Sequence, residues 1–301
     1  VFAKRLLTDD PTPHPGETLE AFWPHHVAWI EPLVLPFDRA VLGGLRADRV
    51  GFAFAAGYRA AIQALAPSID ARDLVALSAT EAGGNHPRAI ETTLASGRLK
   101  GRKRWTTLGG RASHVLVIAS VGEDDLGRNR LKAVRVPTAR VGVRVVPMHD
   151  APFVPEIPHA ELYLEDVAVT DDDVLPGDGY TDYLKPFRTV EDLHVHGAIL
   201  GHLVGVARRF AWPREALEEL VALGVGLRAL AEAPPLAPST HIALAGMLAS
   251  TGRALERLGP CWSLCDEPVR TRWDRDKALL TVASKARDAR RDAAWKHLHE
   301  N

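Results

Sequence analysis

Three short groups of residues in this chain are of types that could do chemistry. The first is Thr80-Glu81, at the end of an apolar run, followed by the small-residue turn Ala82-Gly83-Gly84-Asn85. A threonine hydroxyl and the N–H groups of a glycine turn can hold the edge of a ligand, because glycine lets the backbone come close. The same residues also suit a tight strand connection with no ligand. The second group is Trp105-Thr106-Thr107, which closes a Lys/Arg-rich strand. An indole face suits a planar ligand, and a neighbouring hydroxyl can donate to a ring nitrogen. The plainer alternative is a core tryptophan beside a surface threonine pair. The third is Glu191. On a helix, Arg188, His194, Val195, Ala198 and His202 lie on or near its face. A carboxylate facing an apolar, glycine-lined cleft is disposed to take a proton and act as a base. Alternatively, Thr189-Val190-Glu191-Asp192 is a capping box, with Thr189 as N-cap, Asp192 as its imperfect partner and Glu191 serving the helix dipole.

Other chemistries are argued against. The thirteen histidines contain no HxxxH or HExxH pair, so no metal site is expected. Gly177-Asp178-Gly179 is a turn rather than a phosphate loop, and there is no Ser elbow and no GxGxxG. A net charge of -1 gives no sign of nucleic acid or an anionic membrane as partner. No apolar run approaches the length of a bilayer span, so no membrane insertion is expected. Asp9-Asp10-Pro11 and Pro13-His14-Pro15 stand where a secretory segment would need an apolar core. Cys261 and Cys265 are four apart and could share a helix face or pair in a loop. Two cysteines in a large chain fit a reducing compartment, and a cytoplasmic location is expected.

The elements that must position these residues follow from changes of period. The 301-residue chain, 46% hydrophobic and 25% charged, is long enough for about two domains. Residues 1–37 are proline-rich, with a short helix near Thr18–Ala28. Phe37–Ala66 has helical spacing and ends before Pro67. Strands are expected over Leu74–Ala79, Leu99–Thr107, His114–Val121, Leu131–Val136, Val141–Pro147 and Ala160–Val169, with turn signals between them. Helices follow over Val190–Trp212, Glu215–Ala231, Ser239–Leu258 (capped by Ser239 or Thr240) and Asp274–Leu298. The expected fold class is α+β: residues 1–70 an arm and short helical domain, 71–178 a middle β-barrel or sandwich domain, and 179–301 a C-terminal four-helix bundle.

These pieces together resemble the acyl-CoA dehydrogenase family. Ala79-Thr80-Glu81-Ala82-Gly83-Gly84 is similar to the family's Thr-Glu segment before a glycine/serine turn, and Ile90-Glu91-Thr92 to the Ile-x-Thr after it. Leu99–Thr107 resembles its L-x-G-x-K-x-[WF]-[IV]-T strand. Leu164-Glu165-Asp166-Val167-Ala168-Val169, then Val174-Leu175-Pro176-Gly177, resembles its F-x-D-V-x-V-P … L-x-G signature.

The resemblance implies a flavoprotein that removes two hydrogens from the α and β carbons of an acyl thioester, with FAD as cofactor. It implies Thr80 at the flavin ring edge, Trp105 against the ring and Thr107 reaching N5. It implies Glu191, ten residues before Gly201, as the base opposite that wall, in the manner of members with a helix-borne glutamate. Asn85, His86 and Arg188 are the candidates for binding acyl-CoA or another acyl thioester, and a homodimer is expected. Several motifs depart from the pattern. The segment before Leu74 is about half the family's length. Asn85-His86-Pro87 replaces Gly-Ser-Asp, Asp192 stands where Arg is usual, and Ala231–Leu236 replaces the R-x-x-F-G loop that holds the flavin pyrophosphate. The Q-x-x-G-G-x-G segment for the adenosine half is missing before Asn301. The alternative expectation is therefore a non-catalytic member of the fold that has lost FAD and binds a thioester or a partner subunit. A flavin-using oxidase or monooxygenase on the same scaffold is a third.

Overall fold

Capping and small residues set the first helices of the computed structural model, which describes residues 2–148 and 151–300. After α1 (Phe2–Thr8), α2 (Leu19–Ile30) starts at Thr18, whose hydroxyl accepts from the Ala21 N–H. α3 (Pro36–Leu45) begins on proline, where a missing N–H costs nothing. α4 (Val50–Leu65) is alanine- and glycine-rich and buried along most of its length.

Among the described residues the β region holds seven strands: β1 (Val75–Ser78), β2 (Thr93–Ala95), β3 (Arg98–Thr107), β4 (His114–Glu123), β5 (Asn129–Pro137), β6 (Val143–Pro147) and β7 (His159–Ala168). Strand order in the one sheet is β1-β4-β2-β3-β7-β6, with β5 also on β4. The β1–β4 and β2–β4 pairs are parallel and the others antiparallel. β4 is buried on both faces from Val115 to Ala119, and Leu99, Val134, Leu162 and Leu164 pack around it. The expected strands are present. β2 was not expected: three residues carry too little alternation to stand out of a turn-rich stretch.

A π-helical turn, Gly179–Leu184, is capped by Asp178, whose carboxylate accepts from the Tyr180 and Thr181 N–H groups. α5 (Lys185–Arg209) follows it directly, then α6 (Arg214–Ala231), α7 (Pro238–Arg257), α8 (Glu267–Asp276) and α9 (Ser284–Glu300). Three helix boundaries correct the reading from periodicity. α5 starts well before Val190, because the turn ahead of it delivers the chain already helical. α7 starts on Pro238 with no side-chain cap, and the Thr240 hydroxyl donates to the Pro234 carbonyl instead. The expected fourth bundle helix is two helices, α8 and α9, separated by a 3-10 turn at Lys277–Thr281. Both cysteines are free thiols.

The chain divides into two compact units. One is helical, Val1–Ala64 with Pro152–Glu156 and Thr189–Asn301; the other holds the sheet, Leu65–Ala151 with Ile157–Arg188. In the helical unit α3 and α5 approach backbone to backbone: a Cβ added at Gly201 would strike the Val41 carbonyl, and one at Gly44 the Ala198 carbonyl. The short excursion Pro152–Glu156 is held by ions. The Val154 N–H donates to Asp276 at 2.8 Å, and Glu156 pairs with Arg275 at 3.1 Å and Arg49 at 3.6 Å. Among the described residues no helix is long and apolar enough to cross a membrane.

Four histidines are wholly enclosed in the helical unit. The Nδ1–H groups of His194, His196 and His202 donate to the Val190, Asp192 and Ala47 carbonyls. Burial pushes each of them down to about 4, and His26 to about 3. They are neutral when folded and accept protons once unfolded, so their contribution is complete above the ordinary 6.5 and is lost as pH falls toward 4. Urea unfolding at a series of pH values is expected to show stability falling steadily from pH 6.5 to 4; a flat profile across that window would contradict it.

Candidate functional site

The sheet unit builds one polar knot under the Thr80 turn. Lys103 is fully buried, and its Nζ donates to Glu81 at 2.5 Å, to the Ile118 carbonyl at 2.6 Å and to the Ala79 carbonyl at 3.3 Å. The Glu81 carboxylate also accepts from the Glu91 and Thr92 N–H groups at 2.9 and 3.0 Å. Burial alone would raise Glu81, but Lys103 and the two N–H groups outweigh it and hold the carboxyl below its ordinary value. Burial pulls Lys103 down to about 8 against the opposing pull of Glu81. Both groups are charged at neutral pH. The knot ties the end of β1 to β3, β4 and the stretch before β2. Ser78 and Thr106 add a buried hydroxyl pair at 2.7 Å, and the Arg104 N–H donates to the Thr80 carbonyl at 2.7 Å.

Above this knot β3 is irregular. Its register against β7 shifts between Lys103 and Thr106, and Trp105 sits at φ 55°, left-handed backbone that a bulky residue rarely adopts. The bulge turns the indole outward, where it is 54% exposed. Its ring meets His159 edge-on, with centroids 5.9 Å apart and planes at 83°. Thr107 is half-buried and pairs with His159 across the ladder. Thr80 is half-buried beside Arg104. Thr80, Trp105 and Thr107 are thus brought to one part of the sheet. The core-tryptophan alternative is overturned: Trp105 is exposed, and Thr106, not a surface residue, is the buried one.

The remaining candidates are placed differently. Asn85 is half-buried and His86 exposed in the loop after Gly84, where the His86 Nδ1 accepts from the Arg88 N–H and caps a short 3-10 turn. Arg188 is exposed on α5. Glu191 is half-buried on α5. The capping-box alternative for it is overturned, because α5 begins at Lys185 and Thr189 is an interior residue. The Thr189 hydroxyl instead accepts from Arg290 at 3.2 Å and lies 3.3 Å from the His241 Nε2. Asp192 is clamped by Arg287 at 2.8 Å and by Arg290 from α9. Burial works against the Asp192 charge, but the two guanidinium groups prevail and keep the carboxyl below its ordinary value. The acid where arginine was expected is therefore one half of an ion cluster whose cations come from α9.

Sequence reasoning missed Lys103 and His159, and gave Glu81 no role of its own. Lys103 carried a signal: it stands on the inward phase of a strand set by Leu99, where a lysine needs a buried carboxylate. A pocket of ≈ 420 Å³ beside Glu81 and Thr92 is lined by Lys100, Arg102 and Arg104 on its basic side, and includes none of Thr80, Trp105 or Thr107.

Residues 76–167 match the model of the acyl-CoA dehydrogenase middle domain. Over this stretch the chain is similar to the acyl-CoA dehydrogenase family. Curated proteins give no match to the sequence. Among solved structures, the prolyl acyl carrier protein oxidase AnaB is 15% identical, with TM-score 0.69 over 99% of this chain and 97% of that one. Butyryl-CoA dehydrogenase from Megasphaera elsdenii is 15% identical, with TM-score 0.63 over 98% and 89%. The FAD complex of PigA is 13% identical, with TM-score 0.64 over 99% and 88%. At these identities the likeness establishes the family's fold.

Replacing Lys103 by methionine would leave the Glu81 charge buried with no countercharge. The expected cost is about 3–5 kcal/mol of stability, read by denaturant unfolding. A loss below about 1 kcal/mol, the range of an exposed pair, would show that the knot is not what holds the turn.

Proposed function

We propose that this chain is a flavin-dependent oxidoreductase of the acyl-CoA dehydrogenase type, acting on an acyl thioester in the cytoplasm. The observation that carries this reading is Trp105, an indole held outward on left-handed backbone beside Thr107. Such backbone costs of order 1–3 kcal/mol and persists where its surroundings impose it, commonly at ligand sites. An exposed flat ring, flanking hydroxyls at Thr80 and Thr107, and a buried His159 Nδ1 with no hydrogen-bond partner fit the ring of a flavin. The fold neighbour solved as an FAD complex, PigA, supports a flavin, with FAD the form inferred here. The neighbours named as an acyl carrier protein oxidase and a butyryl-CoA dehydrogenase support a thioester.

A bound flavin would supply the acceptor for the hydride that leaves the β carbon. In this reading Trp105 packs against the ring, and the Thr80 and Thr107 hydroxyls bind its edge. Glu191 takes the α proton. Its turn of α5 is fixed by the Asp192–Arg287–Arg290 cluster, which lets a carboxylate on a long helix keep one orientation. Asn85, His86 and Arg188 are assigned to the thioester, and the working form to a homodimer.

One observation favours the non-catalytic reading. The loop Ala231–Leu236, expected to differ from a pyrophosphate-binding loop, is closed on itself. The Thr240 hydroxyl and His241 Nε2 donate to the Pro234 and Pro235 carbonyls at 2.8 and 2.9 Å.

Mixing the purified protein with FAD is expected to give a bound flavin band near ~450 nm. The substitution E191Q should bind flavin as before but slow its bleaching by acyl thioester at least about 100-fold. A protein that stays colourless in added FAD and FMN would leave the non-catalytic reading. Unchanged bleaching in E191Q would assign the base elsewhere.

A further inference from the structure

We propose that His159 is a further flavin-contacting residue, completing the wall of Trp105 and Thr107 with a hydrogen bond from its imidazole to the ring edge. The inference rests on the flavin reading above. Three features of His159 carry it. It stands opposite Thr107 in the β3–β7 ladder, so the two side chains leave the same face of the sheet. Its ring stands T-shaped to the outward-turned indole of Trp105, with centroids 5.9 Å apart. Its Nδ1 is buried and has no hydrogen-bond partner. Buried polar atoms in folded proteins are almost always paired, so an unspent one at a ligand face marks a group that the ligand completes.

The protonation state agrees. Burial lowers the His159 pKa, so the ring is neutral at physiological pH. A neutral imidazole keeps one N–H donor and one acceptor, and the rim of a flavin ring carries both complementary types. The backbone does not compete, because the His159 carbonyl is already taken by the Met148 N–H at 2.9 Å.

The test compares wild type with H159F and H159Q, in FAD titrations and in the absorption spectrum of the bound flavin. H159F keeps an aromatic edge against Trp105 but removes the hydrogen bond; H159Q keeps a donor. Circular dichroism and denaturant unfolding of the flavin-free proteins report whether the fold is intact. Expected are a dissociation constant raised roughly tenfold or more in H159F, a shifted flavin band, and substantial recovery of both in H159Q. If wild type takes up flavin and H159F binds it as tightly with the same band, the assignment of His159 falls and the flavin reading stands. If wild type takes up none, both fall. Equal losses in H159F and H159Q with no band shift would give His159 a structural role only and overturn the proposal.

Discussion

The buried pair of Glu81 and Lys103 is the constraint on which the rest of the sheet unit depends. Neither residue is tolerable without the other: a lone charge in that position would be expelled or neutralised. Together they also consume two N–H groups and two carbonyls from three separate stretches of chain. The bond set therefore specifies where the Thr80 turn must lie relative to β3 and β4, in a way apolar packing cannot. Hydrophobic contacts tolerate sliding; a lysine with three fixed acceptors does not. The face that presents Trp105 and Thr107 inherits its position from this knot.

The fold was legible to the extent that period reports burial. The strand positions follow from alternation and turn residues, and the long helices from their apolar spacing. What escaped was what period does not encode. β2 is too short to alternate. The π-helical turn at Gly179–Leu184 contributes no apolar stripe, so α5 looked as if it began at Val190. The break between α8 and α9 lies in a charged stretch where helix and 3-10 turn have the same composition.

The site was legible through side-chain type and hidden in its geometry. Plain alternation along β3 puts Leu99, Lys103 and Trp105 on one face. The bulge before Thr106 breaks that phase, sending Lys103 in and Trp105 out. Nothing in Lys103-Arg104-Trp105 announces a bulge, and without it His159 is not a neighbour worth noticing. Asp192 is the opposite case. It looked like a departure from the family, and the departure is resolved by Arg287 and Arg290, nearly a hundred residues away in sequence. The match to the middle domain at 76–167 and the low identity to solved relatives fit this picture. Inward positions carry the fold and a few outward ones carry the chemistry.

The division of the chain into units has a consequence for how the protein is made. The helical unit is assembled from the first and last stretches of the sequence, with Pro152–Glu156 between them. α3 and α4 reach the ribosome exit well before α5, yet Gly44 and Gly57 pack on backbone that belongs to α5. Those helices must wait, apolar faces uncovered, while the entire sheet is translated. During synthesis the sheet unit can close before the unit that precedes it, which makes α3 and α4 the natural clients of whatever holds nascent chains in solution.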